Sequence, residues 1–351
     1  MAQTSQIENL PSTKKLVDDI INYLDKEREK EIISRRFGLF DRKETLEQIG
    51  EMLGITRERV RQLEKYIIEK LKTEAKAGKL NSINTFQEIV IPIITERGEL
   101  VRITDLTQSF STNVNKLDYS RVSFLVQLSP KLQFIDDDEY YYSTALLGTL
   151  DLKKDVKEPL EVVIKTIKEN NKPITIKSLA EKLNYTSSQL KQLESLASIS
   201  KQLANLNNQW GLVKWPTVNP KNIRDKIYVI LKENGKHMHF SEIAEAIRQS
   251  DFKRNNVTTQ AIHNELIKDK RFVLIGRGIY ALREWGYKNG TVSDIITEVL
   301  KEASQPLHRD EIVKKVLESR FVKETTVLLN LQGKPQFKRV SKATYELNED
   351  V

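Results

Sequence analysis

The 351-residue sequence has no cysteine and only four histidines, three methionines and three tryptophans. Without thiols it can hold no disulfide framework, thiol nucleophile, zinc finger or Cys-ligated cluster. Long apolar runs are missing too: the most apolar, Ile89 to Ile94, has six residues and contains Pro92, against the roughly 20 that cross a bilayer. The opening MAQTSQIENL lacks the basic end and apolar stretch of a signal peptide. No Ser/His/Asp constellation can be assembled. The expectation is a cytoplasmic protein that is not an enzyme, with no cofactor, metal site or small-molecule substrate.

What the chain has is charge. Thirty per cent of its residues are charged, with 57 Lys+Arg against 49 Asp+Glu, a net +8 and a pI near 9.2. That balance favours a polyanionic partner such as double-stranded DNA. Cut at Leu80, Leu150, Thr217 and Asn289, the chain has 17 basic against 15 acidic residues, then 5 against 9, 11 against 7, 14 against 8 and 10 against 10. The basic excess lies between Asp151 and Asn289, while 81–150 is acidic and carries Asp136-Asp137-Asp138-Glu139.

From Lys14 to Leu71 apolar residues recur at helical spacing. Thr45-Leu46-Glu47-Gln48 has the form of a capping box opening a helix that stops at Gly54. Three residues turn the chain, and Thr56 is placed to cap the next helix. There Val60, Leu63, Ile67 and Leu71 form an inner face, which leaves Arg57, Glu58, Arg61, Gln62 and Lys65 outside. This spacing predicts a helix-turn-helix. Arg can pair with guanine, Glu can accept from cytosine and Gln can pair with adenine, so the outer face suits major-groove readout. Thr56, Arg59, Arg61 and Lys65 are candidate phosphate contacts. The competing reading is a solvated face of i,i+4 pairs, but Arg57 with Arg61 and Arg61 with Lys65 are like-charged and would repel.

Glu27-Arg28-Glu29, Arg35-Arg36-Phe37-Gly38-Leu39, Thr45 to Gly50 and Gly54 to Glu64 together resemble region 4 of bacterial sigma-70 factors over about sixty residues. The resemblance implies recognition of a −35-like promoter element, with base contacts at Arg57, Glu58 and Gln62. It also implies a grip on the β flap of RNA polymerase core by roughly Leu16 to Leu39. Leu16, Ile20 and Leu24, at i,i+4 spacing, are candidates for that contact, with packing inside the domain as the alternative. Tyr66 and Glu69 stand where the family is usually small or basic. With the region at the start of the sequence, the expectation is a sigma-like factor lacking the −10/core-binding region.

Past residue 80 a ten-residue pattern starts at Val101, Ile174, Met238 and Leu307, at intervals of 73, 64 and 69, with apolar residues at positions one, six and ten. Each copy is followed by a β-rich pair: Phe134 and Tyr142, Leu203 and Trp210, Phe272 and Tyr280, Phe337 and Tyr345. Three helices and a hairpin in about 65 residues describe a winged helix. Phe240-Ser241-Glu242-Ile243-Ala244 and Arg271 to Tyr287 also resemble the HARE-type winged helix, a family that includes the N-terminal domain of the polymerase δ subunit. The expected class is mainly α with small β-hairpins. The expected domains are a helix-turn-helix domain (1–80) followed by tandem winged-helix domains at 81–150, 151–217, 218–289 (HARE-type) and 290–351.

Lys253, Arg254 and Arg277 form a candidate second DNA surface on the +6 unit. His237-x-His239 reads as a helix start rather than a metal pair, and the Asp136–Glu139 run as an acidic hairpin tip rather than a magnesium site. The sequence points to a promoter-binding protein associated with RNA polymerase. Its competitor is a polymerase- or protein-docking scaffold whose DNA contact is incidental.

Overall fold

A computed structural model describes residues 11–110, 114–252 and 254–348. The chain divides into two compact units, Met1–Lys214 and Trp215–Val351. Most helices start where a side chain caps them, and among the described residues none is long and apolar enough to cross a membrane.

The first unit begins with α1 (Thr13–Asn22), α2 (Glu27–Phe37), α3 (Leu46–Leu53) and α4 (Arg57–Lys76). Next come α5 (Asn81–Glu96), β1 (Leu100–Arg102), α6 (Ile103–Gln108), α7 (Lys116–Leu128), β2 (Leu132–Ile135) and β3 (Thr144–Leu147). Helix α5 runs through Pro92 because the proline lies on its exposed side, where water can satisfy the carbonyl that loses its partner. The unit ends with α8 (Glu158–Asn170), β4 (Ile174–Thr175), α9 (Ile176–Leu183), α10 (Leu190–Ser198), β5 (Leu203–Leu206) and β6 (Gln209–Leu212).

The second unit repeats that order twice. It has α11 (Ile223–Asn234), β7 (Met238–His239), α12 (Phe240–Gln249), α13 (Thr259–Lys268), β8 (Phe272–Gly276) and β9 (Ile279–Leu282). Then follow α14 (Val292–Ala303), β10 (Leu307–His308), α15 (Arg309–Ser319), α16 (Glu324–Gly333), β11 (Phe337–Ser341) and β12 (Thr344–Leu347).

All four sheets are three-stranded and antiparallel with one topology, the short first strand pairing with the last: β1-β3-β2, β4-β6-β5, β7-β9-β8 and β10-β12-β11. The ten-residue pattern lands each time on the short strand and the helix after it. Its apolar positions are buried except Leu183 and Met238, which are half-buried. Hairpins β8–β9 and β11–β12 share one register: Phe272 faces Leu282 as Phe337 faces Leu347, with a bulge at the same place. In β5–β6 the turn is Asn207-Asn208, both at positive φ (50° and 59°), as a tight hairpin requires. The aromatic spacing misplaces one strand: Tyr142 precedes β3, and Phe134 pairs with Ala145.

One hydrophobic core runs from Leu16 to Ala145 and crosses position 80 without a break. Helix α7 is central to it, since no residue from Leu117 to Leu128 is exposed. The Phe124 ring lies 5.0 Å from that of Phe37 at the end of α2. Arg121 donates from Nε to the Leu39 carbonyl (2.9 Å), and Thr13 Oγ1 donates to Asp118 (2.6 Å). Helix α10 packs equally closely on the turn before β1. Ser195 Oγ donates to the Gly98 carbonyl at 3.0 Å, and Gly98, at φ +103°, leaves no room for a Cβ, which would sit 2.5 Å from the Lys191 carbonyl oxygen. The β2–β3 loop meets the end of α10, with Tyr142 N donating to Ile199 O at 2.9 Å and Lys201 Nζ 2.8 Å from Asp137.

Candidate nucleic-acid interface

Thr45 and Gln48 form a reciprocal capping box at the start of α3, and Gly54, at φ +64°, ends that helix. Gly50 lets α3 lie against the turn, since a Cβ there would fall 2.7 Å from the Ile55 carbonyl oxygen. Thr56 accepts a hydrogen bond from Arg59 N (3.2 Å) and so caps α4. Val60, Ile67 and Leu71 are wholly buried, and Leu63 is half-buried against the same core. Arg36 of α2 holds α4 by two 3.2 Å bonds to Glu64. This is a helix-turn-helix whose second helix is fixed from behind.

Its front is exposed at Thr56, Arg57, Glu58, Arg59, Arg61, Gln62 and Lys65. The repulsion expected of Arg61 is relieved because it turns to Glu58, donating to it at 2.6 and 2.8 Å. The hydrogen bonds from Arg61 hold the Glu58 carboxyl below its ordinary range. Gln62 accepts from Arg59 (3.3 Å) and donates to Glu58 (3.4 Å). Arg57 makes no hydrogen bond or ion pair among the described residues, so its guanidinium is the donor most available to a ligand. Water reaches the Glu58–Arg61 pair on an open helix face, so a base edge or phosphate can displace it. Met52 on α3 (42% exposed) and Tyr66 on α4 (56%) put apolar surface on the same two helices; the sequence reading did not pick out Met52, which a helical wheel of α3 would have marked as off the buried stripe.

The other candidates fare differently. Leu16, Ile20 and Leu24 are only 3%, 1% and 1% exposed. They are core residues facing inward rather than a surface for polymerase, and their spacing reflects packing. Lys253 lies outside the described residues. Arg254 sits in the loop before α13, at φ +57°, its carbonyl accepting from Lys226 Nζ at 2.8 Å. Arg277 is exposed at the β8–β9 turn. His239 caps α12, its Nδ1 accepting from Ser241 N at 3.3 Å.

The class is therefore a helix-turn-helix with an exposed, charged second helix. Residues 26–73 match the family described as Sigma-70, region 4. The chain is 50% identical over 54 residues to RNA polymerase sigma factor sigB of Arabidopsis thaliana, covering 15% of this chain and 9% of that protein. To RNA polymerase sigma factor SigA of a Bacillus species it is 40% identical over 68 residues (19% and 18%). To RNA polymerase sigma factor RpoD of Helicobacter pylori 26695 it is 47% identical over 62 residues (17% and 9%). The chain spans less than a fifth of the length of these relatives.

Proposed function

We propose that the protein is a sequence-specific DNA-binding protein of transcription, in which α4 reads a −35-like promoter element and the chain associates with RNA polymerase. The observation that carries this reading is the open, capped start of α4 inside a segment similar to sigma factors. Arg57, Glu58 and Gln62 contact bases; Thr56, Arg59, Arg61 and Lys65 contact phosphates. Since Leu16, Ile20 and Leu24 are in the core, the association with polymerase uses exposed groups of the Leu16–Leu39 segment. The four repeats after residue 80 are winged helices, with boundaries at 150, 217 and 289, and the third of them, resembling the HARE type, adds a DNA surface at Arg254 and Arg277.

A second reading, a protein-docking scaffold, is favoured by one observation: α7 and α10, the third helices of the first two repeats, are already packed on protein. Selection of binding sites from random DNA separates the two. Arg57→Ala relaxes the preference at one base pair, costing about 1–3 kcal/mol on the selected site, whereas Arg59→Ala weakens all sequences alike. An unchanged motif for Arg57→Ala, or no motif for the intact chain, sinks the promoter reading.

A further inference from the structure

Residues 290–351 carry ten basic and ten acidic residues, and that zero net charge conceals a separation of sign. On and beside α14 and α15 several charges are paired, Lys288 with Glu298 (2.5 Å) and Glu302 (3.3 Å), Arg309 with Asp310 (3.2 Å), and Lys315 with Glu311 (3.7 Å), and the cations Lys301 and Lys314 that are not paired share those helices with the acids Asp294 and Glu318. The β11–β12 hairpin is the opposite. Lys334, Lys338, Arg339 and Lys342 are all exposed, and none forms an ion pair among the described residues. The one acid within the two strands, Glu346, stands across from Lys338. Arg339 spends only its Nε, on the Ser341 carbonyl at 3.1 Å.

The shared register makes the contrast with the more basic repeat direct. Leu274, opposite Tyr280, occupies the place that Arg339 holds opposite Tyr345. Leu274 is 49% exposed and Ile267 of α13 is 65% exposed, and both line a shallow cavity of about 250 Å³ with Phe272 and Tyr280. The outer edge of β8 is covered, since Phe321 N donates to Ile275 O (2.8 Å) and Arg320 to Leu274 O (2.7 Å). Strand β11 is an edge strand, with no further strand beside it among the described residues. At this matched strand position the repeat with +6 thus places an apolar side chain and the neutral repeat a cation, while Arg277 at the β8–β9 turn and Lys270 and Arg283 beside the cavity stay exposed.

We propose that the β11–β12 hairpin is a phosphate-contacting site for duplex DNA, with Lys334, Arg339 and Lys342 as its cations. Unpaired cations just before an open edge strand (Lys334), on it (Arg339) and in the turn after it (Lys342) displace the counterions condensed on a duplex without desolvating any carboxylate. The site rests on the reading of the chain as DNA-binding, but not on base recognition by α4.

The test is titration of the full chain with a random-sequence 30-bp duplex between 50 and 200 mM KCl. Lys334→Gln/Arg339→Gln/Lys342→Gln flattens the slope of log K against log[salt] by roughly 2–3, about 0.9 for each phosphate no longer neutralised. A control with the same loss of charge on helix faces, Lys168→Gln/Lys314→Gln/Lys315→Gln, keeps the wild-type slope. Equal slopes for hairpin variant and control overturn the proposal, because net charge alone would then govern binding. So does an unchanged slope with increased aggregation, which would make these cations guards of an exposed edge. A change seen on single-stranded RNA but not on the duplex also overturns it. Failure of α4 instead shows as absence of a selected motif while the difference in slope between wild type and the hairpin variant remains.

Discussion

Replacing Phe124 by alanine tests whether the helix-turn-helix and the repeat after it fold as one body. Phe124 is fully buried, and its ring meets Phe37 at 5.0 Å. Removing a buried phenyl ring of this kind costs about 3–5 kcal/mol. Residues 11–147 contain no tryptophan, so the readout is amide hydrogen exchange by mass spectrometry on peptides covering Ile67 and Leu71 of α4. If opening of the shared core is the event that exposes these amides, protection falls roughly 150- to 5,000-fold, a decade for each 1.36 kcal/mol lost. The altered residue lies more than fifty positions along the chain from the amides that respond. Wild-type protection in α4, with loss confined to residues 81–147, would refute the single-body account.

Two glycines separate steric closeness from backbone strain. Gly98→Ala meets the Lys191 backbone at 2.5 Å, whereas Gly78, also at positive φ (+73°), has open space around it. Gly78→Ala costs only the left-handed strain of about 1–2 kcal/mol; Gly98→Ala lowers the melting temperature further and deprotects α10, and equal melting shifts count against tight packing there. Burial of Asp118 pushes its carboxyl up, but hydrogen bonds from Thr13, the Asn115 amide and Arg121 outweigh that and hold it below the ordinary value. Its contribution is therefore complete above the unfolded pKa of about 4 and is lost as pH falls through the lower folded value. Asp118→Asn should lower the urea midpoint at pH 7 and flatten its decline in acid; a variant declining as steeply as wild type contradicts this.

The helix-turn-helix was legible because its signals are local. Thr45 with Gln48, Gly54 and Thr56 each act within one turn of helix, and a sequence displays such pairs directly. The repeats were legible from buried positions that recur on a short strand and the helix after it. What α7 packs against was not, because the apolar residues Val122, Phe124 and Leu125 announce burial without naming the partner. The same ambiguity explains Leu16, Ile20 and Leu24. Tyr142 was assigned to a strand because the eight-residue spacing suits a short turn, yet the first hairpin has a long acidic loop bound to Lys201. Arg61 escaped its expected repulsion through Glu58 at i,i+3, a pairing that an inventory of i,i+4 neighbours passes over. Whole-segment charge could say nothing about 290–351, since summing over sixty residues erases where each sign lies.

The packing of α7 on α1, α2 and α4, followed by that of α10 on the turn before β1, has a mechanical consequence. Wherever α4 is seated on a duplex, the first two hairpins are carried with it as parts of one compact unit. Moving α4 along by one base pair shifts every other surface of Met1–Lys214 by about 3.4 Å along the axis and about a tenth of a turn around it. If α4 reads a duplex as proposed, any partner held by that body, whether protein or nucleic acid, is set at a fixed distance and helical phase from the base pairs that Arg57 reaches, and the unit would serve as a ruler measured from α4.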